Sequence, residues 1–127
     1  MRLSTKGEYA LRAILDINKY SKDSGVTKVE DIAARQNISN SYLEQIFRKL
    51  KRAGIVVAFK GPGGGYSLGK KLGEITVKEV LEAVGDNLTC VPNSTESESP
   101  EAKTIKTLLM NIDASTDRIL KLKLSQI

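Results

Sequence analysis

The chain has 127 residues, a length that suits one domain, and a formal net charge of +5. One Cys and no His exclude an internal disulfide, His-based general bases and nearly every zinc site. The lone thiol, together with the lack of a long apolar run at the N-terminus or elsewhere, predicts a cytoplasmic protein with no membrane contact. The charge is unevenly placed: residues 1–73 carry 14 Lys and Arg against 6 Asp and Glu, and residues 74–127 carry 6 against 9. A basic half joined to a mildly acidic half implies that one end meets a polyanion.

Helix starts are marked by Ser/Thr followed three residues later by Glu, the capping-box pattern, at Thr5–Glu8, Thr27–Glu30, Ser41–Glu44 and Thr76–Glu79. The first helix is predicted over about Lys6–Ser21, with Ala10, Leu11, Ala13, Ile14, Leu15 and Ile17 as its apolar face. A second covers about Lys28–Gln36, with Val29, Ile32 and Ala33 inward. After a break at Asn37–Ser39, a third covers about Ser41–Ala53, with Leu43, Ile46, Phe47 and Leu50 at helical spacing and Gly54 at the end. Ile55–Phe59 and Tyr66–Leu68 read as two strands joined by the glycine-rich turn Lys60–Gly65. A fourth helix covers about Val77–Val84. Asn93–Ser99 is a polar loop. Pro100 then opens a long helix with Ile105, Leu108, Leu109, Ile112, Ile119 and Leu120 in an apolar stripe.

Two short helices across a tight turn, then a β-hairpin, make a mainly α winged helix-turn-helix with a long C-terminal helix. The expected division is a DNA-binding domain at 1–85, a sensor-region loop at 86–99 and a dimerisation helix at 100–127. The reader residues are Ser39, Asn40, Ser41, Tyr42, Glu44 and Gln45, whose short or amide side chains can reach base edges in the major groove. Arg48, Lys49, Lys51 and Arg52 follow for the phosphates. In the wing, Gly61, Pro62, Gly63, Gly64, Gly65 and Tyr66 allow close approach of backbone to the duplex, and Lys60 brings the charge that a narrow minor groove attracts. A nucleotide-cradling loop is the rival for these glycines. It is set aside because no Gly-Lys-Ser/Thr follows and the turn leads into a strand.

The stretches MRLSTKGEYALRAILD, SNSYLEQIFRKLKRAGIV and KGPGGGYSLGK resemble the bacterial Rrf-type, IscR-like family of winged-helix regulators, closely over residues 1 to about 90 and loosely over the last helix. The resemblance implies a homodimer, joined through the long helix, that binds double-stranded DNA at an imperfect palindrome. It implies base reading by Ser39, Ser41 and Glu44, and minor-groove entry by Lys60, where Arg is more usual. Lys lacks the flat fork of Arg. Many relatives hold an iron–sulfur cluster through three cysteines after the fourth helix, some with a carboxylate from the partner's first helix. This chain keeps Cys90 alone, with Glu8 at the carboxylate position. One thiolate is too few for such a cluster, so no cofactor is predicted. Cys90 is then either an inert apolar residue or a redox-reactive thiol.

The function expected is transcriptional regulation, as a repressor, with no enzymatic activity, since no nucleophile–base pair is recognisable. The alternative is a winged-helix interaction module whose activity a partner enzyme sets. The basic reader helix and wing argue against a pure adaptor.

Overall fold

Four of the five α-helices begin where a short polar side chain satisfies a backbone N–H, but not always the one that the capping pattern marks. A computed structural model describes residues 1–22, 25–92 and 99–127. It contains α1 (Thr5–Tyr20), α2 (Val29–Gln36), α3 (Asn40–Arg52), β1 (Val56–Phe59), β2 (Gly65–Leu68), α4 (Val77–Ala83) and α5 (Pro100–Leu120). Two 3₁₀ turns, Leu72–Glu74 and Leu124–Gln126, complete it. This is the expected winged-helix architecture. The predicted loop Asn93–Ser99 lies outside the described residues except for Ser99, which caps α5 by accepting from the Ala102 N–H at 3.1 Å.

Of the four predicted caps, only Thr76 stands as expected, accepting from Glu79 N–H at 3.0 Å. Ser4 replaces Thr5 and accepts from Gly7 N–H at 3.2 Å, because Asp86 grips the Ser4 hydroxyl and backbone. Thr27 is drawn away from α2 into a two-way backbone pairing with Tyr66, both bonds 2.8 Å, and α2 starts after Lys28 with no side-chain cap. Ser39 replaces Ser41, accepting from Tyr42 N–H at 3.2 Å. The cause lies in the turn. Asn37 closes α2 in the left-handed region, φ 55°, and buried Ile38 then pins the chain so that Ser39 falls at the cap.

The core is built of Ala10, Ala13, Ile14 and Ile17 from α1, Ile32 and Ala33 from α2, and Leu43, Ile46, Phe47 and Leu50 from α3. Val80 and Val84 close it from the α4 side. The α1 face is narrower than predicted: Leu15 is exposed and Leu11 half-buried. Asp16 is the one charged residue buried among the described residues. Arg35 meets it from Nε at 3.0 Å and from Nη2 at 2.7 Å, Gln36 Nε2 donates at 2.9 Å, and the guanidinium lies 4.0 Å from the Tyr20 ring centroid. A buried carboxylate needs this full set of partners, so α2 is bolted to α1.

Both chain ends fold back. Arg2 pairs with Asn87, and Leu124 is buried after its N–H bonds to the Ile75 carbonyl at 2.8 Å. The last residues, expected to belong to a dimerisation helix, therefore complete the domain's own core. By contrast α5 buries no residue, and Ile105, Leu108, Ile112 and Ile119 are 51%, 52%, 42% and 57% exposed.

The wing hairpin runs in register from Val56↔Leu68 to Phe59↔Gly65. Its tip is a tight turn in which Gly64 N–H bonds to the Gly61 carbonyl at 2.9 Å, with Pro62 at the second position and Gly63 at φ 77° at the third. A Cβ on Gly64 would fall on the Phe59 carbonyl, and one on Gly65 would stand 2.6 Å from the Thr27 carbonyl. Gly64→Ala or Gly65→Ala is expected to lower stability in urea unfolding by about 1–3 kcal/mol. Gly73→Ala, where the nearest atom is an ordinary 3.5 Å away, should change it little.

Candidate nucleic-acid interface

α3 turns its apolar side to the core and leaves Asn40, Ser41, Glu44, Gln45, Arg48, Lys51 and Arg52 exposed. Ser39 is exposed too, with its oxygen engaged in capping and its hydroxyl proton still free to donate. Two residues placed at this surface by sequence also pack within the domain. Tyr42 is half-buried, its ring edge-on to Tyr9 at 5.6 Å. Tyr66 stacks flat on Phe47, centroids 4.4 Å apart and planes 15° apart. Lys49 is also half-buried, on the flank of α3 facing Lys6. That like charge pushes its ammonium below the usual lysine range, with further pressure from partial burial and from Arg52.

Between α3 and the wing lies an open groove of about 620 Å³, lined by Glu44, Lys28, Glu30 and the glycine turn. Lys28 was not among the residues singled out by sequence. It is the N-cap residue of α2 and lines the groove. Lys60, Gly61, Pro62 and Gly63 are exposed at the tip, and Gly64 and Gly65 are half-buried against Phe59 and Thr27. Structure thus brings the reader face, the wing tip and an open groove to one surface. Arg48, Lys51, Arg52 and Lys60 form no ion pair there among the described residues.

The Rrf2 family profile, described as "Iron-dependent Transcriptional regulator", matches residues 3–127. The chain belongs to the Rrf2 family. It is 49% identical over 88 residues to the HTH-type transcriptional regulator IscR of Cronobacter sakazakii, and 48% identical over 88 residues to that of Klebsiella pneumoniae. These matches cover 69% of this chain but 54% and 53% of those proteins, so the chain spans about half the length of the curated relatives. Among solved structures, CymR, the global cysteine regulator of B. subtilis, superposes with TM-score 0.83 at 28% identity, covering 98% of this chain and 94% of that one. T. potens IscR superposes with TM-score 0.77 at 27% identity, covering 98% and 84%. Among the described residues no helix is long and apolar enough to cross a membrane.

In this Rrf2 protein the candidate sensor residues are separately engaged. Exposed Glu8 pairs with Arg12 at 3.6 Å. The Cys90 thiol donates toward Leu109 O and Asp113 Oδ1, both at 3.1 Å, while Cys90 N–H bonds to Asp113 Oδ1 at 2.9 Å. The Thr89 hydroxyl also donates to Asp113. Asp113 pushes the thiol above its usual range, and partial desolvation adds to the shift. A reactive thiol needs the opposite shift. As to iron–sulfur chemistry, the whole chain offers one thiol and no His. No group of three His, Cys, Asp or Glu among the described residues is arranged to hold a metal. The donor set does not fit a cluster that is held by several thiolates.

Because its raised pKa leaves little thiolate near neutrality, Cys90 is expected to alkylate with iodoacetamide more slowly than a free peptide thiol at the same pH. Asp113→Asn removes the main cause and should speed the reaction. Labelling of the wild type as fast as the free thiol would refute this account.

Proposed function

We propose that this Rrf2 protein is a sequence-specific DNA-binding transcriptional repressor that acts as a homodimer on an imperfect palindrome and needs no resident iron–sulfur cluster. The carrying observation is the exposed face of α3, polar at its N-terminal end and basic toward its C-terminal end, set beside a basic glycine-tipped wing across an open groove. B-DNA's major groove admits one α-helix, and an adjacent wing reaches the flanking minor groove. Asn40, Ser41, Glu44 and Gln45 are the base readers. Arg48 and Lys51 meet phosphates, and Lys60 enters the minor groove. Tyr42, on α3, and Tyr66, in the wing, also hold the scaffold through their rings.

Dimer formation is supported by the long stripe on α5, which stays exposed among the described residues. A second copy pairing there places two reader helices on one duplex, and their separation sets the half-site spacing at a whole number of helical turns. Light scattering at micromolar concentration should give a dimer mass, and Leu108→Glu with Ile112→Glu should give a monomer.

The test of DNA recognition is fluorescence anisotropy on the duplex upstream of the protein's own coding sequence, titrated with salt. Lys51→Gln should weaken all sequences alike and reduce the slope of log Kd against log salt by about one unit. Glu44→Ala should change base preference, by about 1–3 kcal/mol at the position read, more than overall affinity. Unchanged base preference would remove Glu44 from the readers. Complete absence of salt-dependent binding would favour the protein-interaction module.

A further inference from the structure

Three cations converge on the flank of α3 that faces away from the wing. Lys49 and Arg52 line an open cleft of about 360 Å³ with Ala53, Ala83 and Gly85, between the C-terminal ends of α3 and α4. Lys6, from the first turn of α1 and three residues before Tyr9, lies along the same α1–α3 contact as Lys49, which stands seven residues after Tyr42. Among the described residues none of the three is in an ion pair. The neighbouring acids are committed elsewhere: Glu8 turns to Arg12, and Asp86, next to Gly85, accepts from Ser4.

Helix electrostatics explain part of this cluster. Carbonyls at the C-terminal end of α3 attract Lys49 and Arg52. They do not explain Lys6, which sits at the positive N-terminal end of its own helix, where a cation is disfavoured. The Tyr9–Tyr42 contact sets Lys6, three residues before Tyr9, and Lys49, seven after Tyr42, along one α1–α3 seam, and among the described residues neither is in an ion pair, an arrangement that a bound anion relieves. Position selects the anion. One flank of α3, through Glu44, looks across the groove to the wing, while the other meets α1 through the Tyr42–Tyr9 contact and Lys6. A duplex laid on the exposed face of α3 presents phosphates along both rims of its major groove, so the rim opposite the wing comes to this cluster.

We propose that Lys6, Lys49 and Arg52 form a clamp for a DNA backbone phosphate on the side of the reader helix opposite the wing. The clamp rests on the DNA-binding reading above and adds to it a residue of α1. It makes the first helix part of the interface and lets each protomer straddle the groove with positive charge at both rims.

The test uses the full-length protein, with anisotropy on the upstream duplex and on a mixed-sequence duplex of equal length over a series of KCl concentrations. Lys6→Gln should reduce the salt slope by about one unit on both duplexes and leave the ratio of the two Kd values unchanged. Lys6→Gln with Lys49→Gln should reduce it by about two units, and Lys6→Arg should restore the wild-type slope. Because removing Lys6 relieves a repulsion, the Tm of Lys6→Gln should equal or exceed that of the wild type, whereas a structural role for Lys6 would lower it. A wild-type slope in Lys6→Gln overturns the clamp alone. A wild type that binds neither duplex overturns the DNA reading and the clamp with it. A Tm rise in inorganic phosphate over chloride at matched ionic strength, lost in Lys6→Gln, would assign the site to a small free anion instead of DNA.

Discussion

The position of the wing relative to the reader helix depends on one stacked pair. Phe47, buried on the inner side of α3, and Tyr66, in the second wing strand, lie face to face, 4.4 Å between centroids. Strong offset packing of two rings fixes distance and angle better than aliphatic contact does, because a flat face permits sliding in few directions. The stack is reinforced on the far side of the strand, where Tyr66 pairs with Thr27 and Gly65 comes so near the Thr27 carbonyl that no side chain fits. The hairpin is thus clamped between the start of α2 and the body of α3. An isolated two-stranded hairpin is marginal in water. Here it borrows rigidity from the helices, and the groove lined by Glu44 keeps its width for the same reason.

A second set of contacts ties the rest of the chain to this unit. Asp113, in the second half of α5, accepts from the Thr89 hydroxyl, the Cys90 backbone and the Cys90 thiol. Thr89 in turn receives the N-terminal ammonium through its carbonyl at 2.5 Å. Leu124 is buried beyond the end of α5, beside Ile75. Thus α5 is fastened to the winged domain past its middle and beyond its C-terminal end, and the exposed Ile105, Leu108 and Ile112 lie ahead of both fastenings. In the proposed dimer these fastenings would tie the orientation of the two α3 helices to the pairing of α5.

Much of this was legible in the sequence, for identifiable reasons. Leu43, Ile46, Phe47 and Leu50 recur at helical spacing with polar residues between them, and this amphipathicity defines both the buried and the reading face of α3. Gly-Pro-Gly after a β-branched run announces a turn whose second and third positions accept Pro and a positive φ. What was not legible depends on long-range partners. Capping preference is local, and Ser4, Thr5, Ser39 and Ser41 are locally near equivalent as caps. Asp86, distant in sequence, selects Ser4, and buried Ile38 selects Ser39. Tyr42 and Tyr66 look like interface residues by type, and only the presence of Tyr9 and Phe47 across from them shows that their rings are already used. The return of the chain at Leu124 carries no local signature, since one leucine among polar residues reads equally well as a frayed end.

The same distinction bears on Cys90. Set by type beside a polar loop, a lone thiol in a regulator of this family suggests a sensor. Chemistry in place gives it another task. Its proton is directed between a carboxylate and a helix carbonyl, so losing that proton sets a thiolate against Asp113 and the carbonyl of Leu109 at about van der Waals contact. The surroundings stabilise the neutral thiol as a donor, in the same way that Thr89 beside it acts as a donor through its hydroxyl. Thr89 and Cys90 together supply three donors to one carboxylate, and that carboxylate is a fastening of α5. In this chain Cys90 is therefore part of a mechanical joint between the winged domain and the long helix.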